Sequence, residues 1–308
     1  MIRVGIIGLG KIAFEYQLNN ESSLLLTHMS VLLSNPKFQV IYGIDSDISK
    51  REKFTQIFKL PTFDPQDKEI FDYEIEMLVV STPTESHFTS MQLAKKLKPK
   101  LILLEKPLAS NIEEAKLLYV DEVESKIKVF VNYQRNYHKR FVELKNTLSG
   151  YVNHQKISII GYFTGDWVNS GSHLIALIQF LIKGELKVSN LLPHREDFLK
   201  LNSESSDIYI VRLNQPIGSI FRMHIFTPDL QIDYDSTTDY IRYYEFAAST
   251  IFRNEKILKE THSIKLNEPE ALIYTYDNII SYFEGNSYEM TDVKSSYKVM
   301  QLIHEGSL

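Results

Sequence analysis

Three of the chain's 12 glycines, Gly5, Gly8 and Gly10, fall within its first ten positions. A sequence this sparing of glycine clusters it where the backbone needs a conformation or an approach that a Cβ would forbid. Gly8-Leu9-Gly10-Lys11-Ile12-Ala13 follows the apolar run Ile2–Ile7 and opens a helical pattern. In that context G-x-G-x-x-A is the fingerprint of a dinucleotide site. Gly8 makes the tight turn, Gly10 lets the backbone approach a pyrophosphate, and Ala13 permits close helix–strand packing. The pyrophosphate would rest on backbone N–H groups at the helix start, at Lys11 and Ile12.

The next apolar run ends Tyr42-Gly43-Ile44-Asp45. A carboxylate there accepts hydrogen bonds from ribose hydroxyls and repels a 2′-phosphate, which favours NAD over NADP. Lys50 and Arg51 follow and could tolerate a phosphate, and Asp45 or Asp47 could instead serve as a turn residue or helix cap. Asp45 lies 37 positions after Gly8, further than the usual distance of about 20 beyond the motif. The excess falls in Phe14–Leu26, with its polar centre Asn19-Asn20-Glu21-Ser22-Ser23. That stretch is either a cover beside the phosphates or a plain solvated loop. Two further run ends share the same rim: Ser81-Thr82-Pro83 with His87 close behind, and Glu105-Lys106-Pro107. Open α/β sheets bind ligands outside the carboxyl ends of their strands, where all these groups fall.

The elements that would position them are legible up to residue 133. Strands are expected at Ile2–Ile7, Phe38–Ile44, Met77–Val80, Leu101–Leu104 and Lys128–Asn132, continuous apolar runs suited to a parallel sheet covered on both faces. Helices alternate with them at Thr27–Ser34, Ser49–Phe58, His87–Lys96 and Ile112–Val123, the last opened by a capping box at Ser110–Glu113. After a helix near Tyr137–Leu148 the pattern becomes strand-rich: Ile157–Phe163, Ile208–Leu213, Ile217–Phe226, Leu230–Tyr234 and Tyr240–Phe246. Turn chemistry at Gln215-Pro216 and Thr227-Pro228-Asp229 favours antiparallel hairpins. A helix at Ser170–Lys183 interrupts, and helices at Pro269–Glu284 and Thr291–Glu305 close the chain, the first with a stripe from Leu272 to Phe283. The expected fold class is α/β: a doubly wound parallel sheet over 1–133, then an α+β domain over 134–308.

Length and composition agree with two domains and set limits. A net charge of −5 leaves no basic footprint for nucleic acid. With no cysteine, disulfide frameworks, zinc ribbons and thiol nucleophiles are excluded. The longest apolar run, His173–Ile182, is too short to cross a bilayer. The start carries no signal-peptide pattern, so a soluble, cytoplasmic protein is expected. There is no H-E-x-x-H, G-x-S-x-G or Walker loop, so metalloprotease, α/β-hydrolase and P-loop chemistry lack their parts.

Taken together, the sequence resembles the glucose–fructose oxidoreductase, inositol dehydrogenase and MocA-like oxidoreductases. Gly8–Ala13, Asp45, Thr82-Pro83 with His87, Glu105-Lys106-Pro107, Asn132-Tyr133-Gln134-Arg135, Gly171-x-His173 and the closing helix pair occur in that family's order. The resemblance implies a Rossmann domain followed by a domain with a large, open, mostly antiparallel sheet, whose outer face often makes an oligomer interface. A homodimer or homotetramer is therefore expected. It implies NAD or NADP in the first domain, contacted also by Ser81, Glu105 and Gln134, and a sugar, polyol or related alcohol in the second. Lys106 would lie by the nicotinamide and relay a proton, and His173 would be the general base for the hydroxyl. Arg135, Asp166, Trp167 and Asn169 would face substrate; Arg135 suits an anionic group, while Trp167 either stacks on a sugar ring or simply packs.

The chain departs from the family at two positions. An aspartate commonly stands four residues before the histidine, where this chain has Asn169, and Ala176 replaces an acidic residue three after it. Asn169 can hydrogen-bond a substrate but cannot stabilise an imidazolium by charge, and Asp166 is the nearby carboxylate that could compensate. The function expected first is an NAD(P)-dependent dehydrogenase acting on a CH–OH group of a sugar, polyol or nucleotide-sugar derivative. The alternatives are an NAD-binding regulatory protein without turnover, and a redox-neutral, NAD-assisted glycosidase.

Overall fold

The computed structural model describes residues 1–18, 24–152, 156–182, 184–189, 196–214 and 218–307. It divides into two compact units, 1–137 with 269–300, and 138–268 with 301–308.

The first unit is built on a six-stranded sheet. Its strands are β1 (Ile2–Ile7), β2 (Phe38–Ile44), β3 (Thr62–Phe63), β4 (Met77–Val80), β5 (Leu101–Glu105) and β6 (Lys128–Asn132), in the order β3-β2-β1-β4-β5-β6. All neighbours are parallel, and this order is that of the Rossmann fold. Met77–Val80 and Leu101–Leu104 are wholly buried, as continuous apolar runs require when helices cover both faces.

The helices are α1 (Tyr16–Leu18), α2 (His28–Ser34), α3 (Ile48–Phe58), α4 (His87–Lys96) and α5 (Ile112–Glu124). Thr27 and Ser30 form a reciprocal capping box on α2, and Asp47 caps α3 through the Ser49 amide. On α5 the cap is Asn111, which accepts from the Glu114 amide, while Ser110 donates to the Glu114 carboxylate. The box expected at Ser110–Glu113 is thus displaced by one residue. Phe14 also departs from expectation. It lies in a π-helical turn, Lys11–Glu15, and is buried against Phe54 and Phe58. The irregular stretch therefore begins later than Phe14, and its polar centre, 19–23, lies outside the described residues.

The second unit carries α6 (Lys139–Val152), β7 (Ile157–Thr164), α7 (Ser172–Leu181) and β8 (Lys187–Val188). It continues with β9 (Phe198–Asn202), β10 (Ser206–Leu213), β11 (Phe221–Phe226), β12 (Leu230–Asp235), β13 (Tyr240–Ala248) and β14 (Lys256–Lys265). The strands form one open sheet, β14-β13-β12-β11-β7-β10-β9-β8, antiparallel except between β7 and β10. Burial alternates along β7, β10 and β11, so one face is packed and the other open. β14 is exposed almost throughout, and its scattered charged residues mask the strand period. The expected turn at Gln215-Pro216 and helix end at Lys183 fall outside the described residues.

The last two helices, α8 (Ala271–Phe283) and α9 (Val293–Ser307), do not simply extend the second domain. Leu272, Tyr276, Ile279 and Ile280 of α8 join the core formed by Val4, Ile6, Met77 and Leu103. Full burial of such side chains contributes roughly 1.5–3 kcal/mol each. The boundary read at 133/134 therefore gives way to a first unit completed by 269–300.

Candidate functional site

The rim of the parallel sheet begins at Gly8. Its φ of +92° is one that side-chain-bearing residues rarely adopt, and an added Cβ would lie 2.6 Å from the Ser81 carbonyl carbon and the Thr82 nitrogen. Ser81 closes the turn by donating from Oγ to the Gly8 carbonyl at 2.8 Å. Gly10 lies beside open space, with nothing within 4 Å of an added Cβ. Ala13 is fully buried beneath the turn. Lys11 and Ile12 follow at the head of the π-helical turn, where the first amides have no intrahelical acceptor.

Asp45 stands at the end of β2 and is 9% exposed. Oδ2 accepts the Leu9 N–H at 2.8 Å, Oδ1 accepts the Asp47 N–H at 2.9 Å, and Lys50 Nζ lies 3.9 Å from Oδ2. Arg51 is occupied by the Asp45 carbonyl at 2.6 Å and Asp64 at 3.2 Å, so it belongs to the turn's own structure. Gly8, Asp45, Lys50, Thr82, Pro83 and Ser90 are among the lining of a cavity of about 650 Å³. Thr82 Oγ1 and Ser90 Oγ are 3.1 Å apart on its wall.

His87 lies outside that lining. It is 1% exposed, with Nδ1 2.8 Å from the Pro107 carbonyl and Nε2 3.0 Å from the Thr82 carbonyl. It joins two strand-end segments instead of facing a ligand, which revises the cofactor contact expected of it. Burial holds its imidazole below the ordinary value, against the two carbonyls, which pull the other way. Glu105 ends β5, and the Lys106–Pro107 peptide bond that follows is cis. The carboxylate accepts from His28 Nε2 at 3.1 Å and Asn132 Nδ2 at 2.6 Å. Gln134 and Arg135 sit half-buried in a 3-10 turn after β6.

The second unit holds the remaining candidates. Asp166 caps the π-helical turn Trp167–Gly171 that leads into α7. Oδ1 accepts the Asn169 N–H at 2.7 Å, and both oxygens approach Asn169 Nδ2 at 3.3 and 3.2 Å. The carboxylate thus serves Asn169. Trp167 donates its indole N–H to the Glu196 carbonyl at 2.7 Å and packs edge-on against Phe163. Trp167 is therefore at least partly a packing residue, and it stays half-buried. His173 lies half-buried in the first turn of α7, with its ring near Phe221, while Ala176 is buried. Among the described residues, no group of three or more His, Asp or Glu could hold a metal ion. No helix there is long and apolar enough to cross a membrane.

Sequence reasoning passed over His28 and Tyr276, whose contact is set by tertiary structure across 248 positions. The Thr27–Ser30 cap was the one local signal that a helix begins at His28.

A parallel sheet in Rossmann order, with a positive-φ glycine turn after β1 and a carboxylate at the end of β2, defines a dinucleotide-binding α/β domain. Residues 2–133 match the profile of the GFO_IDH_MocA oxidoreductase family, NAD-binding Rossmann fold. No curated protein matches the chain by sequence. Among solved structures it is similar to a dehydrogenase (MviM) from Clostridium difficile, with 17% identity and a TM-score of 0.73 over 99% of this chain and 98% of that one. A super-repressor mutant of Gal80p from Saccharomyces cerevisiae gives 15% and 0.76, over 99% and 96%. UDP-N-acetylglucosamine 3-dehydrogenase GnnA from Acidithiobacillus ferrooxidans gives 15% and 0.71, over 99% and 96%. At such identities the likeness is one of fold.

Proposed function

We propose that this chain is an NAD-dependent dehydrogenase that oxidises a CH–OH group of a sugar, polyol or nucleotide-sugar derivative, or runs the reverse reduction. The observation that carries the reading is the rim of the first unit. A glycine turn tolerating no Cβ, the Asp45 carboxylate at the end of β2 and Lys106 at the end of β5 lie along one edge of a Rossmann sheet. The residues fit the dinucleotide: Gly10 borders open space for a diphosphate, and Asp45 is placed for ribose hydroxyls. The same carboxylate disfavours a 2′-phosphate, which supports NAD over NADP.

The rim around Gly8, Gly10 and Asp45 would hold the dinucleotide, which would supply a hydride acceptor for the substrate carbon. On the family resemblance, Lys106 of the first unit would orient a substrate hydroxyl, and His173 of the second would be a general base. The second unit supplies the substrate pocket, with Asn169 as a neutral hydrogen-bonding group. The general-base assignment to His173 and the substrate role of Arg135 rest on the family resemblance.

The test is absorbance at the reduced-nicotinamide band, with purified protein, NAD⁺ and a panel of sugars, polyols and nucleotide sugars. Turnover with at least one of them, lowered about 10²–10⁴-fold by Lys106→Met with NADH affinity kept, is the expected result. NADH affinity without turnover in either direction would overturn the enzyme reading. It would favour the second reading, an NAD-binding regulator, which Asn169 and the buried Ala176 support through the carboxylates they lack, and which the fold shared with Gal80p makes reasonable. Product formation without net NADH would point to redox-neutral, NAD-assisted chemistry.

A further inference from the structure

The pair Glu105–Lys106 rests on a buried chain of side chains that the proposed reaction leaves unused. His28, the first residue of α2, has no exposed side-chain surface, and its Nε2 lies 3.1 Å from Glu105 Oε1. Its Nδ1 is 2.8 Å from the Tyr276 hydroxyl on α8. Asn132 Nδ2 donates to the same Glu105 oxygen at 2.6 Å, and Thr275 donates to Asn132 Oδ1 at 3.0 Å. Five side chains from α2, β5, β6 and α8 thus form one continuous network within the first unit.

The network has a definite polarity. An ionised Glu105 accepts only, so Nε2 of His28 must carry a proton whatever the charge of the ring. Desolvation pushes the Glu105 carboxyl upward, but the bonds from His28 and Asn132, with Lys106 nearby, outweigh it and the net shift is downward. Burial raises the Tyr276 hydroxyl well above its usual range, so it keeps its proton beside His28. The His28 and Asn132 donors converge on Oε1, and the Glu105 side chain keeps 13% exposure. The other titratable groups that sense Glu105 are Lys106, Tyr137 and His87.

We propose that His28 is a positioning residue. Through Glu105, it fixes the charge and orientation of the anion beside Lys106, so that the rim keeps its grip on a nicotinamide dinucleotide from neutral to mildly acidic pH. This rests on the dinucleotide reading of the rim, and the Glu105 carboxylate is the acceptor it would present to a donor group there. Without the His28 bond, one of the two donors opposing desolvation is gone, and Glu105 protonates at a higher pH.

Two measurements on the full chain test this. In the first, ¹³C NMR follows the Glu105 carboxyl carbon as pH is varied, without dinucleotide. His28→Leu should raise its midpoint by about one to two pH units. His28→Gln, whose amide can donate to Oε1, should restore most of the shift. Tyr276→Phe keeps the ring shape and should move the midpoint less, in the same direction, and it serves if His28→Leu does not fold. An unmoved midpoint in His28→Leu, or in Tyr276→Phe should that variant stand alone, would overturn the proposal. In the second, NADH is titrated by fluorescence between pH 5.5 and 8. The native chain should hold its affinity unchanged across that range, while His28→Leu weakens about two- to four-fold at the acid end only. Equal weakening at every pH would mean a purely structural His28 and would also overturn the proposal. A native chain that never binds NADH, yet shows the shifted midpoint in His28→Leu, would refute the dinucleotide reading and leave the positioning of Glu105 by His28 standing.

Discussion

At the rim of the parallel sheet each carboxylate has at least one partner remote in the chain, even where, as at Asp45, a near amide also binds it, whereas at the entry to α7 the carboxylate is held by a near neighbour. Asp45 is bound by an amide 36 residues away, and Glu105 by His28, 77 away. Asp166 is bound by Asn169, three residues on. Remote partners tie a site's geometry to the folding of its whole unit; local ones let a loop change with little consequence elsewhere. The first region has the construction of a fixed platform, and the second that of a segment free to vary with little effect elsewhere.

The sharpest way to break that comparison is Gly8→Ala. An alanine there is strained by its φ and meets backbone, not a flexible side chain, at 2.6 Å. NADH affinity should fall more than about 100-fold, and stability should drop by about 3 kcal/mol, seen in fluorescence titration and chemical unfolding. Near-native values for both would show that the platform yields as easily as a loop.

A smaller effect comes from His87, which joins the two strand-end segments through Thr82 and Pro107. A neutral ring can donate to only one of those carbonyls. Because burial depresses the folded-state value, the unfolded chain takes up this proton first as pH falls. The contribution of His87 to stability is therefore complete above about pH 6.5 and is lost as pH drops toward the folded value. His87→Gln should be less stable at pH 7.5 but should lose less on going to pH 5.5, as read by urea unfolding. Equal losses in the two proteins would remove the carbonyl clamp from the account.

The same contrast governs how much was legible in the residues. Periodicity and turn chemistry act locally, so β1, β2, β4, β5 and β6, the glycine turn and the Asp45 strand end could be read directly. β14 could not, because its exposed lysines and glutamate hide the alternation expected of a strand. α8 showed its apolar stripe, but a stripe does not say which sheet it covers, and it completes the core of the first unit. His28 is the clearest omission: a lone histidine after a polar stretch carries no local sign of a glutamate 77 residues on. His87 was found, but its burial, and hence its role between two carbonyls, is a property of packing. Asp166 and Asn169 were picked out together, and the three-residue spacing of their pairing is short enough for sequence to suggest it.

That pair gives the most delicate test. Asn169→Asp restores the residue type common in the resembled family, but it sets a second carboxylate against Asp166, where Nδ2 now lies 3.2 Å from Oδ2. The backbone bond from the residue 169 N–H to Asp166 Oδ1 can persist, so the helix entry is weakened, not abolished. Two carboxylates at that separation cannot both ionise without repulsion, and one of them is raised above its unfolded value. The variant should therefore be less stable than the native chain at pH 7, by up to about 1 kcal/mol at this exposed site. The deficit should shrink as pH falls through the raised value, because the folded state then binds the extra proton more readily than the unfolded one. Urea unfolding of both proteins at pH 7 and pH 4.5 reads this directly. A deficit that is the same at both pH values would mean that Asp166 does not face residue 169, and the local construction assigned to the α7 entry would have to be abandoned.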